Sequence, residues 1–533
     1  MRRSLMALGA ALALGLAVPL VGTSAKAEVE PEADGTLTVS SSQVEVGEPI
    51  ALTYFTYHPD PDNWIGLSVD SGDGSADPEN GGPDVKRALA PSGKVGTVTL
   101  STQGLAPGTY SASFRAKENN TLLAEPVRFR VTADEPLRFL TSRIPLRNAH
   151  ALAPYQATVS GLVRHAGDDL TFRKVSGPRW VRVGKDGSIF GTPHQDDASP
   201  SPQKVSIEAR NADGESSTAT AEVDVRTPGA QLVPDFRMMT WNMAYGGSEV
   251  NGARDKQLAL LLDHDVDVVG IQEGDADTAK ELAEALGWYY RQTEDVDGDE
   301  DSVLGVLSRY PIVSQRPVEV PSEVGALAMS TRIRLDERRK QDIVVWSTHL
   351  FYEPYGPYDA CFGHLSEKEL IAREAASGRT KEIKTVLEAM ERDIHLAART
   401  PVLLTGDFNA ASHLDWTAKA KRCGYTSVAW PTSVLPAKAG LKDSFRIANP
   451  DPVTEPGTTW SPIYPTFTGG YGYDDHAGEP EPQDRIDFVY FRGGLSVLTS
   501  DVLVSGNPEP APNHRDNLYP SDHAAVLSLF HVR

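Results

Sequence analysis

Short runs in which apolar and polar residues alternate, or in which β-branched residues dominate, recur along residues 36–131. Turn-forming stretches such as residues 70–74 separate them, and no helical periodicity lies between. Side chains along a strand point alternately to the two faces of a sheet, so this pattern predicts an all-β sandwich, which we place at residues 35–133. The predicted strands are residues 36–39, 50–57, 95–100, 110–114 and 127–131.

A second β-rich stretch follows at residues 137–226, and two of its elements are distinctive. They are Gly177-Pro178-Arg179-Trp180 and residues 186–193, which read D-G-S-I-F-G-T-P. This stretch resembles the Ig-like and cadherin-like repeats of bacterial surface and secreted proteins. The resemblance implies a second β-sandwich, and we expect an Ig-like fold for the first one as well. Both a spacer with an apolar core and a module that binds glycan or cell wall remain open.

From residue 235 onward, apolar runs of strand type alternate with stretches of helical spacing. Helices are predicted at residues 257–262, 278–286 and 366–398, the last interrupted at Ser377-Gly378. Strands and helices mixed in this way, with antiparallel neighbours among the strands, predict an α/β sandwich of two sheets over residues 235–533. The predicted strands are residues 236–240, 266–271, 303–308, 328–335, 342–347, 402–405, 486–491 and 525–530.

The first residues have the pattern of an export signal. Met1-Arg2-Arg3 is charged, residues 5–21 are apolar, and Ala25-Lys26-Ala27 has the small-residue spacing of a cleavage site. An uncleaved membrane anchor is the alternative. No other stretch approaches the roughly 18 apolar residues of a membrane span. We therefore expect a signal peptide at residues 1–27 and a secreted, soluble mature chain, with association with a cell surface or lipid left open.

Composition restricts the partners. The formal net charge is -22, whereas proteins that bind nucleic acid draw most of their affinity from Lys and Arg on phosphates. Long DNA or RNA is therefore the less favoured substrate, although a local basic groove is compatible with an acidic protein. The two cysteines, Cys361 and Cys423, form either one disulfide or two free thiols. The oligomeric state is not determined by the sequence.

Six polar clusters lie at the ends of predicted strands after residue 235. A β-rich run that ends in a functional residue delivers that side chain to one edge of a sheet. Asn, Glu, His and Asp delivered in this way are the residue types that hydrolyse a phosphate ester around a hard cation. The clusters are Trp241-Asn242, Gln272-Glu273, Thr348-His349, Gly406-Asp407-Phe408-Asn409, Asp484-Arg485-Ile486-Asp487 and Ser521-Asp522-His523.

In this order, the six clusters resemble the endonuclease/exonuclease/phosphatase superfamily. It includes pancreatic-type deoxyribonuclease, abasic-site endonucleases, bacterial sphingomyelinases and inositol polyphosphate 5-phosphatases. The resemblance covers residues 235–533 and implies a four-layer α/β sandwich with metal-dependent phosphoesterase activity. It also implies direct in-line attack by water on a phosphodiester or phosphomonoester, with no covalent enzyme intermediate.

Three residues are expected at the metal. Glu273 and Asp522 offer hard anionic oxygens suited to Mg²⁺, with Mn²⁺ or Ca²⁺ as alternatives, and Asn242 offers an amide oxygen beside them. Family members hold the metal or its water shell at these positions. The acidic run at residues 295–301 is an alternative Ca²⁺ site, but it lacks a full EF-hand pattern, and a solvated acidic loop is the simpler interpretation.

The other expected site residues act on water and phosphate. Asp407 would orient or deprotonate the attacking water, while Asn409 and His349 would donate to phosphoryl oxygens. The resemblance pairs His523 with Asp487, which would fix its tautomer and favour its charged form, and His523 would serve as general base or as a phosphate donor. The structural alternatives are an Asx turn at Asp407-Phe408-Asn409 and an ion pair between Asp487 and Arg485.

The substrate is less well defined by the sequence. Aromatic residues are concentrated in the loops at residues 351–362 and 464–476, where they either recognise a sugar, base or lipid or pack within the loops. Our first hypothesis is a secreted phosphoesterase acting on a small or lipid-linked ester. A secreted nuclease is the second hypothesis, and a non-catalytic surface-binding protein is the third.

Overall fold

The computed structural model divides the chain into two compact units, Met1–Ala133 and Asp134–Arg533. The predicted signal peptide and the acidic run at residues 295–301 lie outside the residues that it describes. The described residues are 35–70, 85–90, 93–117, 121–132, 136–165, 169–293, 303–314, 318–322 and 325–533.

The first unit is all-β and consists of two sheets around one core. One sheet has the strand order β1-β3-β6 and the other β2-β8-β7-β4-β5. Alternate residues of both sheets, such as Leu52 and Phe114, are buried together in a single apolar cluster. The predicted β-sandwich pattern is therefore present, while its Ig-like identity stays a prediction. The strands are β1 (Thr36–Val39), β2 (Gln43–Glu45), β3 (Pro49–Phe55), β4 (Trp64–Val69), β5 (Lys86–Leu89), β6 (Val95–Ser101), β7 (Gly108–Arg115) and β8 (Val127–Thr132).

The second unit begins with a β region whose largest sheet has the strand order β10-β18-β17-β14. The smaller sheets are β12-β16-β15, β11-β19 and β13-β9. The strands are β9 (Arg138–Phe139), β10 (Arg143–Pro145), β11 (Ala149–His150), β12 (Tyr155–Thr158), β13 (Val163–Arg164), β14 (Thr171–Ser176), β15 (Val181–Val183), β16 (Ser188–Gly191), β17 (Gln203–Arg210), β18 (Ser216–Val223) and β19 (Val225–Arg226).

An α/β portion completes the unit. Its strands are β20 (Asp235–Asn242), β21 (Val268–Gly274), β22 (Tyr289–Gln292), β23 (Val303–Ser308), β24 (Val318–Ser322), β25 (Gly325–Asp336), β26 (Gln341–His349), β27 (Val402–Asp407), β28 (Lys442–Asp443), β29 (Asp487–Arg492), β30 (Leu495–Leu503) and β31 (Ala525–Val532). Its helices are α1 (Ala253–Asp263), α2 (Thr278–Leu286), α3 (Gly356–Cys361), α4 (Glu367–Ala376), α5 (Arg379–Ala389), α6 (Glu391–Leu396), α7 (Pro431–Lys438) and α8 (Ser444–Ala448).

Two six-stranded sheets form the centre of the α/β portion. The first sheet has the order β22-β23-β21-β20-β31-β30 and the second β24-β25-β26-β27-β29-β28. They share a core that includes Met238 of the first sheet and Leu403 of the second. In β20, Met238 belongs to this core and Met239 to the core on the opposite face, so both faces of the strand are covered and every residue from Met238 to Asn242 is buried. Helices α1 and α2 cover the first sheet and α5 covers the second, which confirms the predicted two-sheet α/β sandwich.

The β region and the α/β portion share one hydrophobic core. A single apolar cluster contains Ile207 and Val223 of the β region together with Leu258 of α1 and Leu282 of α2. The contact is close, because a Cβ atom on Gly161 would lie 2.4 Å from Cα of Ala285 in α2. The predicted limits 137–226 and 235–533 stay predictions, since both lie inside one compact unit.

The long helical stretch is interrupted where it was expected to be. Helix α4 starts at a capping box in which Ser366 and Glu369 exchange hydrogen bonds, and it ends at Ala376, just before Ser377. Gly378 follows with a φ of 95°, a conformation that favours glycine, and α5 begins at Arg379. A second break at Met390 separates α5 from α6. Among the described residues, no helix has the length and apolar character needed to cross a bilayer.

Candidate active site

Three expected site residues lie side by side on neighbouring strands of the second sheet. His349 ends β26, Asp407 ends β27 and Asp487 begins β29. Because β26 and β27 are parallel, their ends meet at the same edge, and the register pairs His349 with Asp407. Strand β29 is antiparallel to β27 and pairs Asp487 with Asp407. Sheet pairing alone therefore brings the three side chains together.

Glu273 reaches this edge from the first sheet through an irregularity in β21. The pairing of β21 with β23 shifts register between Ile271 and Gly274, and Glu273 has a φ of 49°. A bulge of this kind changes the direction in which a side chain points. Oε1 of Glu273 then lies 3.6 Å from Nε2 of His349 and accepts a 2.7 Å hydrogen bond from Nδ2 of Asn242.

Asn242 connects the two sheets. It ends β20, and its Nδ2 donates to Oε1 of Glu273 and, at 3.0 Å, to Oδ2 of Asp407. Its Oδ1, the atom expected to face the metal, accepts from the backbone N–H of Ala244 at 3.0 Å. The structure thus places Asn242 among the carboxylates, with its amide nitrogen towards them. Its role as a metal ligand stays a prediction.

Asp522 and His523 lie just before β31 in a segment fixed by neighbouring hydroxyl groups. Oγ of Ser521 donates to the carbonyl of Asn242 at 2.6 Å and accepts from the backbone N–H of His523 at 3.0 Å. The Tyr519 hydroxyl donates to the carbonyl of His523 at 2.9 Å. These bonds attach the segment to the end of β20, which holds both side chains at the site.

The His523 imidazole lies between two carboxylates. Its Nδ1 is 3.0 Å from Oδ2 of Asp487, and its Nε2 is 3.6 Å from Oδ2 of Asp407. Burial alone would lower the pKa of His523, but the charges of Asp487 and Asp407 and the hydrogen bond to Asp487 outweigh it and hold this pKa well above its ordinary value. The pairing of His523 with Asp487 is also the one that the resemblance implies. Asp487 makes no ion pair with Arg485, which instead contacts Asp415 and Asp443.

Two carboxyl groups of the site have raised pKa values. Burial raises the pKa of Asp407 to about 6, against the opposing charge of His523 and with the charge of Asp487 adding to the rise. Burial likewise raises the pKa of Asp522 to about 7, with His523 opposing and Glu273 adding. Oδ1 of Asp522 is buried and makes no hydrogen bond within the described part of the chain. Buried carboxylate oxygens without donors are sites that a cation would stabilise.

The Gly406-Asp407-Phe408-Asn409 motif serves the fold and the site at once. A Cβ atom on Gly406 would lie 2.0 Å from the carbonyl oxygen of Thr348, so β27 can approach β26 only with glycine here. Phe408 is buried against Phe488, whereas Asp407 and Asn409 face the site. Oδ1 of Asp407 accepts from the backbone N–H of Asn409 at 2.7 Å, which is the expected Asx turn.

His349 and Asn409 form a pair beside the carboxylates. Nδ2 of Asn409 lies 3.1 Å from Nε2 of His349 and donates to the carbonyl of Leu350 at 2.9 Å. Nε2 of His349 is also 3.6 Å from Oδ2 of Asp407. Two groups have ligand atoms within 4.8 Å of one another, namely Glu273, His349 and Asp407, and Asp407, Asp487 and His523. We call the six residues Glu273, His349, Asp407, Asp487, Asp522 and His523 the site cluster.

A cavity of about 360 Å³ opens beside the site cluster, and aromatic side chains form much of its wall. Tyr352, Tyr355, Tyr358 and Tyr471 come from the two loops in which the sequence indicated aromatic residues. Tyr245 and Trp460 were not predicted, because neither belongs to an apolar run or to a recognisable motif. The lining residues are Tyr245, Glu273, His349, Tyr352, Tyr355, Tyr358, Asn409, Trp460, Tyr471, Ile486, Asp522 and His523.

The loops around the cavity are fixed from behind. Arg379 is fully buried, pairs with Glu374 at 2.8 Å and donates to the carbonyls of Phe351 and Pro354. Some of the aromatic side chains in these loops pack on one another, as Phe362 and Phe467 do. Packing within the loops is therefore present, while recognition of a sugar, base or lipid by the aromatic side chains stays a prediction.

Cys361 and Cys423 form a disulfide that joins the end of α3 to the turn at residues 422–424. The sequence left a disulfide and two free thiols equally open. The bridge closes a loop that contains α4 to α6 and β27, including the Gly406–Asn409 motif.

Comparison with known proteins places this arrangement in context. Residues 239–523 match the Endonuclease/Exonuclease/phosphatase family, a range that contains every predicted site residue. An uncharacterized protein of Caenorhabditis elegans is 31% identical over 299 residues, which cover 55% of this chain and 90% of that protein.

Solved structures match over the same share of the chain. An endonuclease/exonuclease/phosphatase family protein from Bacteroides thetaiotaomicron is 17% identical with a TM-score of 0.34, and the match covers 56% of this chain and 97% of that one. An AP endonuclease from Archaeoglobus fulgidus is 14% identical with a TM-score of 0.35, and the match covers 56% of this chain and 100% of that one.

Proposed function

The chain belongs to the endonuclease/exonuclease/phosphatase family and is a metal-dependent phosphoesterase, and we propose that it hydrolyses a small or lipid-linked phosphate ester outside the cytoplasm. One observation carries this proposal: the site cluster faces an aromatic-lined cavity of about 360 Å³. Cavities of this size suit a small ligand or the headgroup of a lipid. The chemistry and the space for a compact substrate therefore lie together.

We assign the divalent cation to Glu273 and Asp522, with Asn242 beside them. The donor set fits, because both carboxylates line the cavity and Oδ1 of Asp522 is buried without a hydrogen-bond donor among the described residues. Mg²⁺ takes one or two carboxylate oxygens and keeps several waters, and Mn²⁺ or Ca²⁺ are alternatives. When bound, such a cation would polarise a phosphoryl oxygen and offset the charge that develops on the leaving oxygen.

Asp407 is proposed to orient the attacking water and to accept its proton. Its raised pKa of about 6 lies near neutral pH, where a general base combines the right protonation state with sufficient basicity. Its Oδ1 is occupied by the backbone N–H of Asn409, which leaves Oδ2 towards the two imidazoles. Attack by this water is direct and in line, with no covalent enzyme intermediate.

The remaining groups are proposed to bind the phosphate. Nδ2 of Asn409 and Nε2 of His349, 3.1 Å apart, are placed to donate to phosphoryl oxygens. His523, held by Asp487 and kept protonated by its two carboxylate neighbours, would stabilise the same charge or return a proton to the leaving group. Asp487 acts through His523 and is a positioning residue.

Several observations favour a compact substrate over long nucleic acid. Neither Lys nor Arg occurs among the described residues that line the cavity, and the chain carries a net charge of -22. A nuclease would need basic side chains along the path of the phosphate backbone. A secreted nuclease is nevertheless the alternative against which the substrate has to be tested.

Two features support a location outside the cytoplasm. The first 27 residues have the charged, apolar and small-residue segments of a signal peptide. The Cys361–Cys423 disulfide is of a kind that persists in oxidising compartments and is rare in the cytosol.

The test is a metal-dependence assay followed by a substrate panel. We expect hydrolysis of bis-p-nitrophenyl phosphate that EDTA abolishes and Mg²⁺ restores. Asp407→Asn should slow it by about 10²–10⁴-fold, and the exposed control Asp501→Asn should leave it unchanged. The panel comprises plasmid DNA, RNA, sphingomyelin, phosphatidylinositol and glycerophosphodiesters. Absence of metal-dependent turnover on every ester would contradict the enzymatic proposal, and fastest cleavage of plasmid would replace the small-ester substrate with DNA.

A further inference from the structure

The aromatic side chains of the cavity meet at steep angles. Tyr355 and Tyr358 are 4.8 Å apart between ring centroids with an interplanar angle of 76°, and Tyr352 and Tyr471 are 6.4 Å apart at 87°. Tyr358 and Tyr471 complete the connection at 5.3 Å and 51°. A slot for a flat base or sugar ring needs nearly parallel faces. Rings that meet at steep angles instead form a rounded box, which suits a compact, roughly spherical group.

Trp460 lies between the four tyrosines and the site cluster. The ring of Trp460 lies 5.0 Å from the His523 imidazole and borders the same cavity as the four tyrosines. We call Tyr352, Tyr355, Tyr358, Trp460 and Tyr471 the aromatic cage. A substrate whose phosphorus lies at the site cluster would therefore place the neighbouring part of its ester in the cage.

The charges around the aromatic cage favour a cation. Oε1 of Glu481 accepts from the hydroxyl of Tyr358 at 2.7 Å and from Nε1 of Trp460 at 2.9 Å. Hydrogen bonds donated to a carboxylate increase the electron density of the two rings, which strengthens their attraction for a positive charge. Within the described lining of the cavity there is no Lys or Arg that would repel such a group, and the positive charge of His523 is compensated by Asp487 and Asp407.

One hydroxyl in the aromatic cage has no partner. The OH of Tyr355 is buried and makes no hydrogen bond to any described residue, although the side chain borders the cavity and is only 6% exposed. A buried donor without an acceptor is costly unless a ligand supplies one. A phosphate oxygen that projects from the site cluster would be such an acceptor.

We propose that the aromatic cage binds a quaternary ammonium group and that the substrate is a phosphocholine ester, an inference that rests on the proposed phosphoesterase function. Recognition of quaternary ammonium by boxes of aromatic rings is a known use of cation–π attraction. The trimethylammonium lies in the cage, the phosphate lies against the site cluster, and the Tyr355 hydroxyl donates to a phosphate oxygen. The group esterified to phosphocholine is either a lipid or a small alcohol.

The test compares two esters that differ only in charge. The full chain with Mg²⁺ is assayed on p-nitrophenyl phosphocholine and on its neutral isostere, p-nitrophenyl 3,3-dimethylbutyl phosphate, in which carbon replaces the ammonium nitrogen. We expect kcat/KM to be about tenfold higher for the choline ester, as cation–π attraction at a desolvated site predicts. Equal values for the two esters would overturn the inference.

Variants at the exposed edge of the aromatic cage test whether its rings cause the preference for the choline ester. Tyr352 is 51% exposed, so its replacement leaves the core intact. Tyr352→Leu should lower the choline preference about threefold, and the Tyr352→Leu/Tyr471→Leu double variant should remove most of it. Tyr352→Phe keeps the ring and should keep the preference, as should Tyr289→Leu, which changes an exposed tyrosine of β22 outside the cavity. A preference that survives the double variant would contradict the cage.

A binding measurement separates this inference from the proposed function. Titration calorimetry with phosphocholine and with 3,3-dimethylbutyl phosphate should show about tenfold tighter binding of phosphocholine, whether or not an ester is hydrolysed. Turnover of bis-p-nitrophenyl phosphate without any choline preference would refute the cage alone. Preferential binding of phosphocholine without turnover of any ester would refute the phosphoesterase proposal alone. Relative rates on sphingomyelin in mixed micelles and on glycerophosphocholine then distinguish lipid from soluble sources.

Discussion

The α/β portion contains two groups of carboxylates that differ in the side chains surrounding them. In the first, which we call the guanidinium cluster, Asp415 and Asp443 contact Arg485 at 3.0 and 2.8 Å, and Asp415 also pairs with Arg446. In the site cluster the partners are imidazoles and an amide, and Oδ1 of Asp522 and Oδ1 of Asp487 have no hydrogen-bond donor in the described structure.

This difference distinguishes a structural group of carboxylates from the proposed active site. Asp407 and Asp487 of the site cluster are as completely buried as the guanidinium cluster, so burial alone does not identify a site. Permanent positive charges compensate the carboxylates of the guanidinium cluster, which then stabilise the position of β29. In the site cluster, burial raises the pKa values of Asp407 and Asp522 to about 6 and 7, and the charge of His523 only partly opposes this rise. In the proposed function, a bound cation and the substrate would supply the remaining compensation.

The largest expected effect is the loss of turnover at Asp407. Asp407→Asn keeps an oxygen that accepts from the backbone N–H of Asn409 but removes the proposed proton acceptor, so kcat should fall by about 10²–10⁴-fold. Steady-state kinetics on bis-p-nitrophenyl phosphate measure the loss, and thermal unfolding checks the fold. If Asp407→Asn instead destabilised the fold as strongly as the loss of a buried ion pair, Asp407 would have a structural role like that of the guanidinium cluster.

Replacing Arg485, whose guanidinium group contacts both Asp415 and Asp443, should have the largest effect on stability. Arg485→Met leaves Asp415 and Asp443 buried with one cation fewer, and the free energy of unfolding should fall by about 3–5 kcal/mol in urea denaturation. The exposed control Arg399→Met should change it by no more than about 0.5 kcal/mol. Adding Asp443→Asn to Arg485→Met should recover part of the lost stability. If Arg485→Met leaves the free energy of unfolding unchanged, the guanidinium cluster does not stabilise the fold.

A bound cation should stabilise the site cluster. Mg²⁺ at about 100 times its Kd should raise the free energy of unfolding by about 2.7 kcal/mol relative to EDTA, measured by denaturation at fixed pH and ionic strength. Asp522→Asn should abolish this stabilisation, since it removes a proposed ligand. Asp443→Asn lowers stability in both solutions but should keep the increment, because Asp443 is compensated by Arg485. If Mg²⁺ still stabilised the Asp522→Asn variant by this amount, Asp522 would not be a ligand and the metal would bind elsewhere.

The smallest expected effects concern the hydroxyl groups of Tyr358 and Tyr355. The first donates a hydrogen bond to Glu481, and the second has no partner among the described residues. Tyr358→Phe removes the hydrogen bond to Glu481 and should lower the free energy of unfolding by about 1 kcal/mol. Tyr355→Phe removes a buried hydroxyl that has no partner among the described residues, so it should keep or raise the free energy of unfolding while kcat/KM falls roughly fivefold. Paired urea denaturation and kinetics test both variants, and a loss of stability at Tyr355→Phe would show that its hydroxyl has a structural role.

The parts of the fold that the sequence predicted are those with a strong local pattern. Helix α2 and strand β23 have their predicted limits, because each is a single apolar stripe or run with clear ends. Strand β30 was missed, since an edge strand with an exposed Leu498 and several polar residues has no clear periodicity. Strand β28 has only two residues and is defined by its pairing with β29 rather than by its own sequence.

The site shows the same division between local and long-range information. His349, Asp407 and Asp487 were predictable because each lies at the end of a patterned strand, and the register then brings them together. Tyr245 and Trp460 were not, because only the path of their loops brings them to the cavity. The orientation of the Asn242 amide depends on the backbone N–H of Ala244, which a sequence pattern does not specify.

The core shared by the β region and the α/β portion has a consequence for how this chain can be divided or recombined. The family match begins at residue 239, yet the apolar faces of α1 and α2 are completed by residues from before residue 226. A fragment that starts near residue 235 would expose that surface to water and would be prone to aggregate. The segment that can be transferred to another protein with its fold intact therefore begins near residue 134, and gene fusions intended to carry the activity should be joined there.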